Sequence, residues 1–138
     1  MTLQATLLGF DPGRDKCGLA VMREDLQLYY HQTVPAQNAI ATIQSLLQKF
    51  PISSLIMGDR TTAKQWRSQL DSLSTGLSIV MVDEHNSTLE ARDRYWKMYP
   101  PKGLAKLVPQ GLREPTVPID DIVAILLIER YLKSQTKA

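Results

Sequence analysis

Residues 4–22, QATLLGFDPGRDKCGLAVM, decide how the rest of the chain is read. Residues 4–11 form an apolar run that ends at Asp11, and Pro12-Gly13 breaks it with turn chemistry. Cys17 to Met22 is a second apolar run. Glu24-Asp25 predicts a tight turn. Leu26, Leu28 and Tyr30 then alternate with Gln27, Tyr29 and His31, the period of two of a third strand. A parallel crossover needs a dozen or more residues, so three strands this close are antiparallel neighbours.

Beyond Tyr30 the period changes. Ala36, Ile40, Ile43, Leu46, Leu47 and Phe50 are spaced for a helix over Pro35 to Phe50. Ser53 to Met57 predicts a short strand, Thr61 to Leu73 a helix with Trp66, Leu70 and Leu73 on one face, and Leu77 to Val82 another strand. Asn86 or Ser87 can cap the next helix, with Glu90 completing a capping box. That helix runs to about Met98, where Pro100 and Pro101 stop it. Residues 99–117, rich in Gly, Pro and Lys, form a long loop of the kind that is functional or mobile. Pro118 to Lys133 reads as a last helix, with Pro and acids at its start and Lys133 near its end. The expected fold is one α/β domain over residues 1–138. It has a mixed five-stranded sheet, three antiparallel strands and then parallel β-α-β-α, flanked by helices.

Composition narrows the function classes. The 138 residues suit one domain, and 43% are hydrophobic, ordinary for a water-soluble chain. The longest apolar run, Ile122 to Ile128, is far short of a membrane span, and no secretory signal is expected at the N-terminus. Cys17 is the one cysteine, which fits a reducing, cytoplasmic location. Net charge is +2, but from Arg92 to Arg113 six basic residues (Arg92, Arg94, Lys97, Lys102, Lys106 and Arg113) accompany one acid, Asp93. Such an excess attracts phosphates, or is a solvated helix face. Two histidines and one cysteine give no zinc spacing, and there is no nucleophile elbow or P-loop lysine. Tyr95, Trp96 and Tyr99, among basic neighbours, are stacking platforms or helix core, with at least one expected in the core.

Acids stand at telling places. Asp11 closes the first strand, Glu84 the fifth, and Asp120 and Asp121 open the last helix. Gathered at one point they would repel one another, and Mg²⁺ or Mn²⁺, which favour oxygen ligands, would relieve the repulsion. Two such ions roughly 4 Å apart support in-line attack of water on a phosphodiester. Each acid also has a plainer reading: an Asx-turn at Asp11, an exposed loop acid at Glu84, helix-dipole partners at Asp120 and Asp121.

Three segments together resemble the YqgF family of Holliday-junction-resolvase-like nucleases. They are Leu8-Gly-Phe-Asp-Pro-Gly through Lys16-Cys-Gly-Leu-Ala-Val21, Asp83-Glu-His-Asn-Ser-Thr-Leu-Glu-Ala91, and Ile119-Asp-Asp-Ile-Val-Ala124 running on to Leu132. The resemblance implies a ribonuclease-H-like fold and Asp11, Glu84 and Asp120 as catalytic metal ligands. It favours Asp120 over Asp121, because the family pattern places an Ala four residues after the Asp. It further implies phosphate contact by Lys16, and nucleic-acid binding by Arg14, Arg60, Arg92, Lys97, Lys102 and Lys106 is expected with it. Bacterial family members are linked to maturation of the 5′ end of pre-16S ribosomal RNA. Structured RNA, ribosomal precursor particles and a monomer or homodimer are the corresponding expectations.

The chain departs from the family at several points. Gly58-Asp59-Arg60-Thr61-Thr62 replaces Gly-x-Pro, His85 replaces an Arg, Arg14-Asp15 inserts an acid, and residues 99–118 are longer and richer in proline. Cleavage of DNA junctions and, given these departures, nucleic-acid binding without catalysis therefore compete with rRNA processing; Asp11-Pro12-Gly13 after the first strand also fits nucleotide binding as in actin-like ATPases, which need two such domains.

Overall fold

The computed structural model describes residues 4–60, 62–73, 76–112, 115 and 117–136. Five strands form one sheet in the order β3-β2-β1-β4-β5: β1 Thr6–Asp11, β2 Lys16–Arg23, β3 Leu28–Pro35, β4 Ile52–Gly58 and β5 Ser78–Val82. β1 pairs antiparallel with β2, and β2 with β3; β1 and β4, and then β4 and β5, pair parallel. The helices are α1 Ala39–Lys49, α2 Ala63–Asp71, α3 Ser87–Met98 and α4 Asp120–Thr136. None of the described helices is long and apolar enough to cross a membrane.

The pleat sorts side chains into two cores. Leu8, Phe10, Leu19, Val21, Leu55 and Met57 face α1 and α2, where Ile43, Leu46 and Leu70 meet them. Leu7, Ala20, Met22 and Ile56 face α3 and α4, against Ala91, Tyr95 and the run Ile122–Ile128. β1 is buried along its whole length because helices cover both faces. This explains why it reads as a continuous apolar run rather than an alternating one.

α4 lies unusually close to the sheet, and glycines are the reason. A Cβ on Gly18 would stand 1.8 Å from the Asp120 carbonyl oxygen, and one on Gly9 2.4 Å from that of Ala124. Asp120 and Ala124, one helical turn apart, thus rest their carbonyls on two glycines of adjacent strands.

Four local expectations are corrected. The third strand starts at Leu28; Leu26 stands in the turn with φ of 74° and is exposed, because Arg23 closes that turn by bonding Gln27 and Leu26 through the main chain. No capping box forms at α3. Asn86 precedes the helix in the left-handed region without a side-chain cap bond, and Glu90 instead pairs with Arg130 at 3.0 Å. The loop at 99–117 contains two 3₁₀ turns, Gly103–Leu107 and Gln110–Leu112. The basic excess at 92–113 is smaller than its count: Arg94 forms a two-pronged pair with Glu129 at 2.8 and 2.7 Å, while Arg113 lies outside the described residues.

Candidate active site

The same pleat that sorts the core places the acids. Leu7, Gly9 and Asp11 alternate onto the α4 side of β1; Ile56 and Gly58 do so on β4, and Val80 and Val82 on β5, with Glu84 next in that series. Asp11 and Glu84 therefore emerge at the carboxyl ends of parallel strands, on one face. The first residue of α4, Asp120, is brought to them by its seat on Gly18, which is paired with Asp11.

Asp11 and Glu84 are 6% and 4% exposed, and their carboxyls lie within hydrogen-bonding reach of each other. That bond exists only while one of them holds a proton. Burial first, then the bond and charge of Glu84 and the charge of Asp120, push Asp11 from 3.8 up to about 8; Arg60 opposes the rise. Burial also raises Asp120, against an opposing pull from nearby Lys16 and Arg60. Apart from the Asp11 carboxyl, neither buried carboxylate oxygen of Glu84 meets a hydrogen-bond donor among the described residues. Arg60 Nε lies 2.8 Å from Oε2, an ion pair whose N–H is poorly aimed at the oxygen. A buried carboxylate left so is costly, and a hard oxygen donor set is what Mg²⁺ and Mn²⁺ take. As the side chains stand, no three His, Cys, Asp or Glu among the described residues are gathered tightly enough to hold an ion. The guanidinium of Arg60 supplies the positive charge instead.

The remaining candidates separate. Lys16 and Arg60 stand beside the acids; Arg14 is exposed on the turn after β1. Lys97, Lys102 and Lys106 are exposed and Arg92 half-buried, on α3 and the segment after it. Ser87 is fully buried and its Oγ faces Arg60 Nη2 at 3.4 Å, so it supports Arg60. His85 is exposed and engaged through its main chain, by Asp83 Oδ1 at 3.0 Å and Arg130 at 2.7 Å. Asp121 turns away from the acids. Its Oδ2 meets His31 Nδ1 at 2.6 Å and its Oδ1 lies 3.4 Å from Thr33 Oγ1, which in turn accepts the Asp121 N–H at 3.3 Å. This clamp ties the start of α4 to β3. It joins residues about 90 positions apart, so no local sequence signal could have shown it.

The chain superposes on T. thermophilus RuvC in complex with a Holliday junction substrate, with a TM-score of 0.57, 15% identity and 96% of each chain covered. It matches a second Thermus thermophilus RuvC structure with a TM-score of 0.54 and 12% identity, over 95% of this chain and 96% of that one. The fold is ribonuclease-H-like. The antiparallel β1–β3 ribbon followed by parallel β4 and β5 is the feature this ribonuclease-H-like chain shares with both structures. No family model and no curated protein sequence matches the chain.

The site is sterically tuned at Gly58. A Cβ there would stand 2.0 Å from the Glu84 carboxyl carbon. Gly58→Ala is expected to displace the Glu84 side chain while leaving the sheet folded. Any cleavage activity that depends on Glu84 should fall about 100-fold, the order of loss an ångström of misplacement causes, with a Tm loss of only a few degrees by calorimetry.

Proposed function

We propose that this chain is a divalent-metal-dependent nuclease acting on structured nucleic acid, with Asp11, Glu84 and Asp120 as the metal-binding acids. The observation that carries the reading is the buried Asp11–Glu84 contact at the strand ends, with Asp120 close enough to raise the pKa of Asp11. Folding brings these acids together at a cost that a cation would remove. Mg²⁺ or Mn²⁺ held there would supply the charge that activates water and stabilises the leaving oxygen of a phosphodiester. The chain's own part is to fix the acids on rigid elements, exclude bulk water from Asp11 and Glu84, and present Lys16 and Arg60 to the phosphates. Arg60, whose side chain is about half exposed, would leave Glu84 for a phosphate oxygen when a metal takes its place.

The motif resemblance to YqgF favours processing of pre-16S ribosomal RNA, in the cytoplasm. The likeness to a RuvC bound to a junction favours four-way DNA. A third reading, binding without cleavage, is favoured by the Arg60–Glu84 pair occupying the centre of the site. One experiment separates the three: purified protein with Mn²⁺ on a pre-16S 5′ fragment and on a four-way DNA junction, beside Glu84→Gln. Cleavage of one substrate, lost by at least 100-fold in Glu84→Gln, is expected. Equal cleavage by both proteins rejects Glu84 as a ligand. Salt-sensitive binding with no cleavage supports the binding module.

A further inference from the structure

Where α3 meets the start of α4, there is a cavity of about 260 Å³ walled by Tyr95, Tyr99, Val117 and Pro118, with His31 and Asp121 on its polar side. It is separate from the carboxylate site but joined to it through the backbone. Asp120 faces Asp11 and the next residue, Asp121, faces the cavity, because neighbouring helix positions point about 100° apart. The two sites therefore diverge from adjacent residues at the start of α4.

We infer that this cavity accepts one unpaired nucleobase of the substrate, next to the phosphate held at the acids. The inference rests on the nucleic-acid reading above and adds what the substrate must contain. Four observations point to a base. The walls are aromatic and apolar: Tyr95 and Tyr99 have ring centroids 5.3 Å apart, tilted by 45°. Tyr95 is buried and fixed, whereas Tyr99 is 47% exposed, a ring open to stacking. The polar side is preset, since Asp121 holds His31 by Nδ1 and so orients the ring, leaving Nε2 as the nitrogen that Asp121 does not engage. Finally, the volume suits one ring system, below the range of larger ligand pockets. Lys97 and Lys102, exposed and before and after Tyr99 in sequence, are cations suited to phosphates. A continuous duplex keeps its bases stacked and presents none to such a cavity. Preference for bulged, flapped or branched substrates follows.

The test is binding without divalent cation, so that nothing is cut. Fluorescence anisotropy would compare a hairpin carrying one unpaired adenosine with the same hairpin fully paired and with an abasic bulge, each made in RNA and in DNA. The full chain should bind the bulged form at least about fivefold more tightly than either control, the lower end of what base stacking contributes. Stacking reads the ring and not the sugar, so the preference should appear in both series. Tyr99→Ala should bring the bulged form level with the paired one and leave paired binding unchanged; Tyr99→Phe should keep the preference. Equal loss for all hairpins in Tyr99→Ala, or an undiminished preference, overturns the inference, as does equal binding of bulged and paired hairpins by the native chain. Failure of the native chain to bind any hairpin overturns the nucleic-acid reading itself. Capture of an apolar peptide in place of a base would also count against the inference.

Discussion

Asp11→Asn should make the metal-free protein more stable at pH 8 while abolishing metal-dependent cleavage. The sign follows from where the proton sits. Asp11 takes it up near 3.8 when unfolded and near 8 when folded. Between those values the folded chain holds a proton that the unfolded chain has released, so native stability declines as pH rises through the interval. Below pH 4 both states are protonated and the difference vanishes. Asparagine removes the titration and gives Glu84 a permanent donor. The expected gain at pH 8 is on the order of a few kcal/mol, roughly 10 °C in Tm for a chain of this size, shrinking towards zero at pH 4. Mn²⁺ should raise the Tm of the native protein at pH 8 and leave the variant unmoved. If both respond equally to Mn²⁺, Asp11 is not a ligand. If the native chain's Tm is flat from pH 5 to 8, the buried pair is not as described.

Gly18→Ala should be the more damaging change to the fold, although it adds one methyl group. The new Cβ would meet the Asp120 carbonyl oxygen at 1.8 Å, its carbon at 2.1 Å and the Asp121 nitrogen at 2.6 Å. All three are main-chain atoms in the first turn of α4, and no rotamer can move them aside. The helix start must lift off the sheet, straining the clamp from Asp121 to His31 and Thr33. A loss of about 3 kcal/mol or more is expected from such overpacking, read by urea titration. Any cleavage should disappear with it, since Asp120 moves with the helix. A Tm within about 3 °C of the native value would mean that α4 is not seated as described.

The sequence made the architecture legible because its periodicities are clean. Leu28 and Tyr30 alternate, Ile43 and Leu46 keep helical spacing, and the short links between β1, β2 and β3 leave no room for a crossover. The placement of the acids at strand ends was legible too, since the pleat carries Leu7, Gly9 and Asp11 onto one face. What escaped was tertiary. Leu26 fits an alternating pattern but lies in a turn that main-chain bonding closes early. Glu90 has the spacing of a capping box, yet Arg130 on α4 takes it. Arg94 counts as a free cation in any composition window until Glu129, 35 residues on, neutralises it. The Arg60–Glu84 pair and the opposite orientations of Asp120 and Asp121 depend on which elements pack together. The preference for Asp120 over Asp121 as a site residue came from family resemblance and not from spacing.

Among the described elements β1 is synthesised first, yet it becomes the middle strand of the finished sheet. Its partner β4 and its cover α4 are synthesised later, α4 last among the described elements. A nascent chain therefore carries an unshielded apolar edge until residues 52–58 emerge, a window in which holdase chaperones would be expected to bind. By the same order of synthesis, a molecule truncated before Asp120 would carry Asp11 and Glu84 but lack α4, which packs over β1 and β2.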